Sequence, residues 1–310
     1  MSLLRFRSDL LAAVRAYFRE SDALEVSTPL IRPWGTPEPH LQNLVVQSGG
    51  QSLFLQTSPE FAMKVLLARY RQDIYQICAA VRAEELGARH DLEFQMLEWY
   101  RVDIGLMDLA EDVRAFWRRV GEALAAHHEL PGWQSDIEMV SYAGVFEAYL
   151  QCDPHTADIR QLQEKAHGLG IRHLAGDASR ADWLDALFAT AIEPGLSAPT
   201  LVFGYPACQS ALAEIDQDGS GVAVSRRFEL FANGLELANA YQELTDPQAL
   251  HQRFAQFNER RLQEGREFVA VDEALMDAMQ SMPRSAGIAL GVDRLAMAWL
   301  AADSIGQVRP

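Results

Sequence analysis

The stretch Asp73-Ile74-Tyr75-Gln76-Ile77-Cys78-Ala79-Ala80-Val81-Arg82-Ala83-Glu84, followed after a polar turn by Leu92-Glu93-Phe94-Gln95-Met96-Leu97-Glu98-Trp99-Tyr100-Arg101-Val102, decides how the chain folds. Its first half reads as a strand with an apolar face of Tyr75, Ile77, Ala79, Val81 and Ala83, while Gln76, Arg82 and Glu84 point the other way. In the second half Phe94, Met96, Glu98 and Tyr100 share one parity. The two strands therefore predict a hairpin with charge on one side. A strand-held arginine can grip a phosphate bidentately, a phenyl ring can stack on a purine, and a carboxylate beside a phenol can receive an ammonium. A surface hairpin with cross-strand ion pairs has the same pattern, so these residues alone leave both readings open.

Upstream, Leu10, Leu11, Val14 and Phe18 recur at helical spacing, followed by an alternating segment, residues 24–30, that Pro29 closes. Ser58-Pro59-Glu60 is a helix-start signature, with a serine cap and a carboxylate in the first turn. Downstream, Leu109, Val113, Phe116, Trp117, Val120 and Leu124 define a long helix, and further helical patterns cover about 141–150, 159–169 and 181–192 without evident chemistry. A strand at 200–203, a Gly/Asp/Ser loop at 216–221, a hairpin turning at Asn233-Gly234 and helices at 246–262 and 272–282 follow. Neither a low-complexity linker nor a repeat divides the sequence. The expectation is one α+β domain spanning 1–310, an antiparallel sheet flanked by helices.

Two further segments carry candidate chemistry. With a two-residue loop at Asn233-Gly234, Ala232 pairs with Leu235 and Glu229 with Ala238, making Glu229 and Glu236 diagonal neighbours on one face. Such neighbours lie about 7 to 8 Å apart, near enough to share a magnesium ion bound to phosphates. Asn239, Tyr241 and Glu243 have the other parity, so lining the same pocket requires a β-bulge after Glu236. In Gly287-Ile288-Ala289-Leu290-Gly291-Val292-Asp293-Arg294, small residues at alternate positions leave one strand face bare to a ligand, and Arg294 brings charge to the start of the next helix. A close-packed structural strand is the plainer reading of that segment.

Composition narrows the field. Hydrophobic residues make up 49% and charged residues 23% of 310, which excludes a disordered or fibrous chain. The 27 basic against 43 acidic residues give a formal charge of −16, so nucleic acid binding would need a local site rather than bulk counterion release. Cys78, Cys152 and Cys208 are too few and too scattered for a disulfide framework or a zinc cluster. With no secretory segment and no apolar run of spanning length, a cytoplasmic protein with no membrane association is expected.

Taken together, the segments resemble the signature motifs of class II aminoacyl-tRNA synthetases, most closely the lysyl branch. Residues 24–30 look like motif 1, the hairpin from Val81 through Phe94 like motif 2, and Gly287 to Arg294 like motif 3. Thr57-Ser58-Pro59-Glu60, Met96-Leu97-Glu98-Trp99-Tyr100 and residues 236–244 are similar to that branch's lysine-pocket segments. The likeness is closer still to a truncated family, the elongation factor P lysine ligases, which lack the anticodon-binding OB domain; here too the first helix starts within ten residues. Pro206-Ala207-Cys208-Gln209 is similar to a segment of those ligases, and Ala289 stands where they carry alanine and lysyl synthetases glycine. Val81, Ala83 and Asp91 depart from the usual Phe, Asn and Asn, and Asp91 adds negative charge near the phosphates.

The resemblance implies a homodimer formed through motif 1 and activation of (R)-β-lysine or lysine with ATP and Mg2+ as an aminoacyl adenylate. The acyl group then passes to a lysine side chain of elongation factor P. It implies that Arg82 binds the α-phosphate and the amino-acid carboxylate, Glu84 and Phe94 the adenine, His90 and Arg294 the outer phosphates, and Glu229 and Glu236 the metal. Glu60 would receive an amino group near the reacting end, Glu98, Tyr100 and Glu243 the distal ammonium, and Asn239 the carboxylate; Tyr241 and Ala289 would line the pocket. Two alternatives stay open: a lysyl-tRNA synthetase-like enzyme charging tRNA or a small molecule, against which the missing OB domain counts, and a regulatory paralogue that only binds amino acid or nucleotide.

Overall fold

Phe6, Leu10, Val14, Tyr17 and Phe18 recur every three or four residues, and this stretch folds as the helix Leu3–Glu20 with all five side chains buried. The structure, a computed structural model, describes residues 2–83, 86–172, 174, 178–219 and 221–309. They form two compact units, Met1–Trp133 with Gln242–Pro310, and Gln134–Tyr241.

In the first unit the strands Leu24–Glu25, Ile74–Val81, Glu93–Val102 and Ser285–Gly291 lie side by side in that order. The first two run parallel and the other neighbours antiparallel. Register places Gln76 and Ala289 on either side of Glu98, and Ile74 and Gly287 on either side of Tyr100. One face of Glu93–Val102 is covered by Leu3–Glu20 and the helix Leu106–Ala125: Phe18 stacks on Tyr75 at 4.2 Å, and the Phe116 and Trp99 ring centroids are 5.3 Å apart. Asp112 fixes that packing by accepting hydrogen bonds from Trp99 Nε1 at 2.9 Å and Arg101 Nε at 3.0 Å. Because Trp99 faces the helices, strand alternation sends Glu98 and Tyr100 to the opposite face. There the helix Glu60–Tyr70 begins, with Phe61 5.6 Å from Phe254 of the helix Pro247–Gln263.

In the second unit Leu235–Gln242, Ala223–Ala232, Thr200–Pro206 and Glu138–Ser141 form the sheet, the last two parallel, and Ile215–Gln217 pairs with Ala223–Ala232. The helices Tyr142–Leu150, Ile159–Gly168 and Arg180–Leu187 flank it, and the core holds Tyr142, Phe146, Trp183, Phe188, Tyr205 and Phe231. Three expectations need correction. Parallel pairings occur alongside the antiparallel ones, and Ile215–Gln217 forms a short strand where a loop was expected. The hairpin register also shifts. Asn233 and Gly234 both have positive φ, 54° and 66°, as a type I′ turn demands, and Ala232 pairs with Leu235. Leu237 is then an extra residue, so Glu229 pairs with Asn239 rather than Ala238. The bulge brings Arg227, Glu229, Asn239 and Tyr241 to one face, which alternation without it forbids.

Candidate active site

Ser58 links the two segments that bring acid groups together. Pro59 rather than Ser58 stands at the N-cap of the helix Glu60–Tyr70, yet Ser58 Oγ accepts the Glu60 N–H at 3.0 Å and donates to Glu98 Oε2 at 2.6 Å. Tyr100 donates its phenol to Glu98 Oε1 at 2.6 Å. One turn into the helix, the Lys64 ammonium lies 2.6 Å from Glu60 Oε1 and 2.6 Å from Glu243 Oε2. Glu243 is positioned by its backbone N–H, which donates to the Ser285 carbonyl at 3.0 Å. The first unit thus gathers Glu60, Glu98, Tyr100 and Glu243 around Lys64.

Gly287 explains why these groups fit. A Cβ there would lie 2.3 Å from the Tyr100 ring and 2.6 Å from Glu243 Oε1, so the bare strand face is covered by the pocket's own side chains rather than left open. Ala289, half-buried beside Glu98 in the register, stands one step along the same face.

Three carboxylates meet one ammonium in this cluster. Burial, and next to it the Glu60 charge, pushes the Glu98 carboxyl up to about 8, against the opposing hydrogen bonds from Ser58 and Tyr100; Glu243 raises it further. Burial alone would lower Lys64, but Glu243 and Glu60 outweigh it and hold the ammonium well above its ordinary range. Burial and the Glu98 charge keep the Tyr100 phenol protonated. Below about pH 8 Glu98 must therefore release a proton before it can meet an ammonium ion. We expect the KM for the amino acid to fall as pH rises from about 6 to 8, by up to about tenfold per unit, and to level above that. In Glu98→Gln the slope disappears; an identical pH profile in parent and variant would assign the titration to another group.

Among the nucleotide candidates, Arg82 reaches the Thr57 carbonyl with Nε at 3.4 Å, and its guanidinium lies 5.2 Å from the Phe94 ring centroid. His90 Nε2 contacts Arg294 Nη2, joining the turn of the hairpin to the helix Val292–Leu300. Glu84 lies outside the described residues. Asp91, whose charge raised a difficulty in the sequence, is paired with Arg309 at 2.8 Å.

The second unit holds the remaining candidates. Glu229 accepts hydrogen bonds from Tyr205 OH at 2.6 Å and Asn239 Nδ2 at 3.3 Å, and is ion-paired with Arg227. Burial raises the Glu229 carboxyl, Arg227 opposes this, and Glu236 adds a further upward push, so the two carboxylates sense each other. Arg227 also lies 4.4 Å from the Tyr205 ring centroid and 5.7 Å from that of Tyr241. Two carboxylates and an amide are hard oxygen donors of the kind magnesium takes, and both acids are half-buried.

Sequence reasoning missed Lys64, Arg227 and Arg309. The Glu60/Lys64 spacing of four was a readable signal; Arg309 offered none, because Asp91 and Glu93 are more than two hundred residues away and Asp293 lies sixteen residues back, at the start of the helix Val292–Leu300.

The whole of residues 1–310 matches the family model for class II tRNA synthetases (D, K and N), and the chain belongs to that family. It is 39% identical to the elongation factor P–(R)-β-lysine ligase of Erwinia tasmaniensis, over 97% of this chain and 92% of that protein. The proteins of the same name from an Enterobacter species and from Salmonella paratyphi B are each 36% identical, over 97% of this chain and 92% of theirs. Within the class II synthetases, the chain belongs with these ligases.

Proposed function

We propose that the chain activates (R)-β-lysine, or lysine, with ATP and Mg2+, and transfers the acyl group to a lysine side chain of elongation factor P. The observation that carries this is the cluster of buried Glu98, Glu243 and Tyr100 with half-buried Glu60, three acids against the single cation Lys64, an acid-rich pocket suited to a ligand bearing ammonium groups. In the first step a carboxylate oxygen of the amino acid attacks the α-phosphorus and pyrophosphate leaves. No side chain need act as base, because the nucleophile is already ionised; alignment and charge neutralisation supply the rate. Arg82 holds the α-phosphate and the amino-acid carboxylate, and Phe94 offers its ring to the adenine. His90 and Arg294 take the outer phosphates. Ala289 shapes the amino-acid pocket of the first unit, and in the second unit Asn239 and Tyr241 are the residues that the resemblance assigns to the amino acid. In the second step the protein lysine amine attacks the acyl carbon and AMP leaves.

Magnesium, held by Glu236 and Glu229, would neutralise phosphate charge. Glu236→Ala is expected to raise the magnesium concentration needed for half-maximal activity by about tenfold or more, with excess magnesium restoring part of the rate. Unaltered magnesium dependence would give Glu236 a structural role. Leu24, Leu30 and Ile31, apolar yet 40 to 50% exposed, support a dimer formed through this edge. No described helix is long and apolar enough to cross a membrane, in keeping with a cytoplasmic enzyme.

The test is incubation with labelled ATP, each lysine isomer, and either elongation factor P or bulk tRNA. Amino acid attached to the protein supports this reading. Attachment to tRNA would establish the synthetase-like alternative, and no turnover with retained binding the regulatory one.

A further inference from the structure

Asp91 places a carboxylate in the turn between the two hairpin strands, next in the chain to His90, which meets Arg294. An anionic group among cations meant for phosphates weakens them unless its charge is offset. The structure supplies the offset from the far end of the chain. Arg309 Nη1 lies 2.8 Å from Asp91 Oδ2, and its Nη2 lies 2.9 Å from Asp293 Oδ2 and donates to the Glu93 carbonyl. Asp91 Oδ1 accepts the Leu92 N–H at 2.8 Å, which aims the other oxygen at Arg309. A second, independent contact joins the same two segments: the Ile305 N–H donates to the Ala88 carbonyl at 2.8 Å. Asp293 is in turn held by Arg7 Nη1 at 2.8 Å and by the Gln95 N–H at 2.9 Å, one residue before Arg294.

We propose that Arg309 is a positioning residue for nucleotide binding: it neutralises Asp91 and ties the turn after Arg82 to the start of the helix carrying Arg294, a role that rests on the nucleotide reading given above. One guanidinium bridging two carboxylates and a carbonyl fixes both segments in a planar fork that lysine cannot reproduce. Removing it frees the Asp91 charge and loosens the turn together.

Four proteins test this: the parent, Arg309→Gln, Asp91→Asn and the double variant, each titrated with ATP and magnesium by calorimetry and assayed by pyrophosphate exchange. Arg309→Gln is expected to weaken ATP binding by about three- to tenfold, less at high salt, as befits a partly exposed pair. Adding Asp91→Asn should return most of that loss, while the KM for the amino acid stays near the parent's in all four. The proposal is overturned by ATP binding unchanged in Arg309→Gln. It is equally overturned by a loss that persists undiminished in the double variant, or by a matched rise in both KM values, either of which makes Arg309 a general structural tie. A parent that binds no ATP would sink the nucleotide reading itself, and that failure is visible before any variant is made.

Discussion

Arg82→Ala lowers lysine-dependent pyrophosphate exchange by about 10²-fold or more, the scale expected when a fixed charge facing a developing oxyanion is removed. Arg82 follows directly on the strand Ile74–Val81, so its backbone is fixed by the sheet, and its side chain is steadied by the Thr57 carbonyl at 3.4 Å and the Phe94 ring at 5.2 Å. A group held this way needs little reorganisation as negative charge grows at the α-phosphate. Arg82→Lys should recover only part of the rate, because an ammonium is a point charge and cannot bind two oxygens in one plane. Exchange within a few-fold of the parent in Arg82→Ala would show that this strand end does not face the reacting phosphate.

Lys64→Met destabilises the protein by about 3 to 5 kcal/mol, because it leaves buried carboxylates without their cation. The Lys64 and Glu243 side chains are only 3% and 2% exposed, so solvent screens the pair little. Urea unfolding at neutral pH measures the loss. It should shrink as pH falls, because protonating the carboxylates left without their cation removes the cost of burying their charge. Saturating lysine should also protect the variant more than the parent, since a ligand ammonium can take the vacated place. An unchanged urea midpoint together with an unchanged KM for the amino acid would mean that Lys64 does not govern this cluster.

The parity of Phe94, Met96, Glu98 and Tyr100 was readable because period-2 alternation is set by backbone geometry alone, and Trp99 packing on Phe116 sets which face becomes core. The Asn233-Gly234 turn was equally legible, for only residues tolerant of positive φ serve there. What followed was legible only as a condition: a bulge after Glu236 was needed for Asn239 and Tyr241 to share a face with Glu229, and the extra residue at Leu237 supplies it, shifting Glu229 from Ala238 to Asn239. Likewise Gly287 read as an open floor, whereas Tyr100 and Glu243 fill the space its missing side chain provides. Contacts such as Arg309 with Asp91 arise from segments far apart in the sequence meeting in space, which local pattern does not encode.

Glu98 and Tyr100 sit on a strand paired along both edges, with Gln76 and Ile74 on one side and Ala289 and Gly287 on the other. Their amides can exchange with solvent hydrogen only when much of that sheet opens, whereas Leu86 to His90 are exposed and open locally. The strand and the turn therefore respond differently to heat or denaturant. Glu98 and Tyr100 are thus expected to keep their arrangement as long as the sheet itself lasts, while the exposed turn 86–90 is expected to exchange its amides earlier.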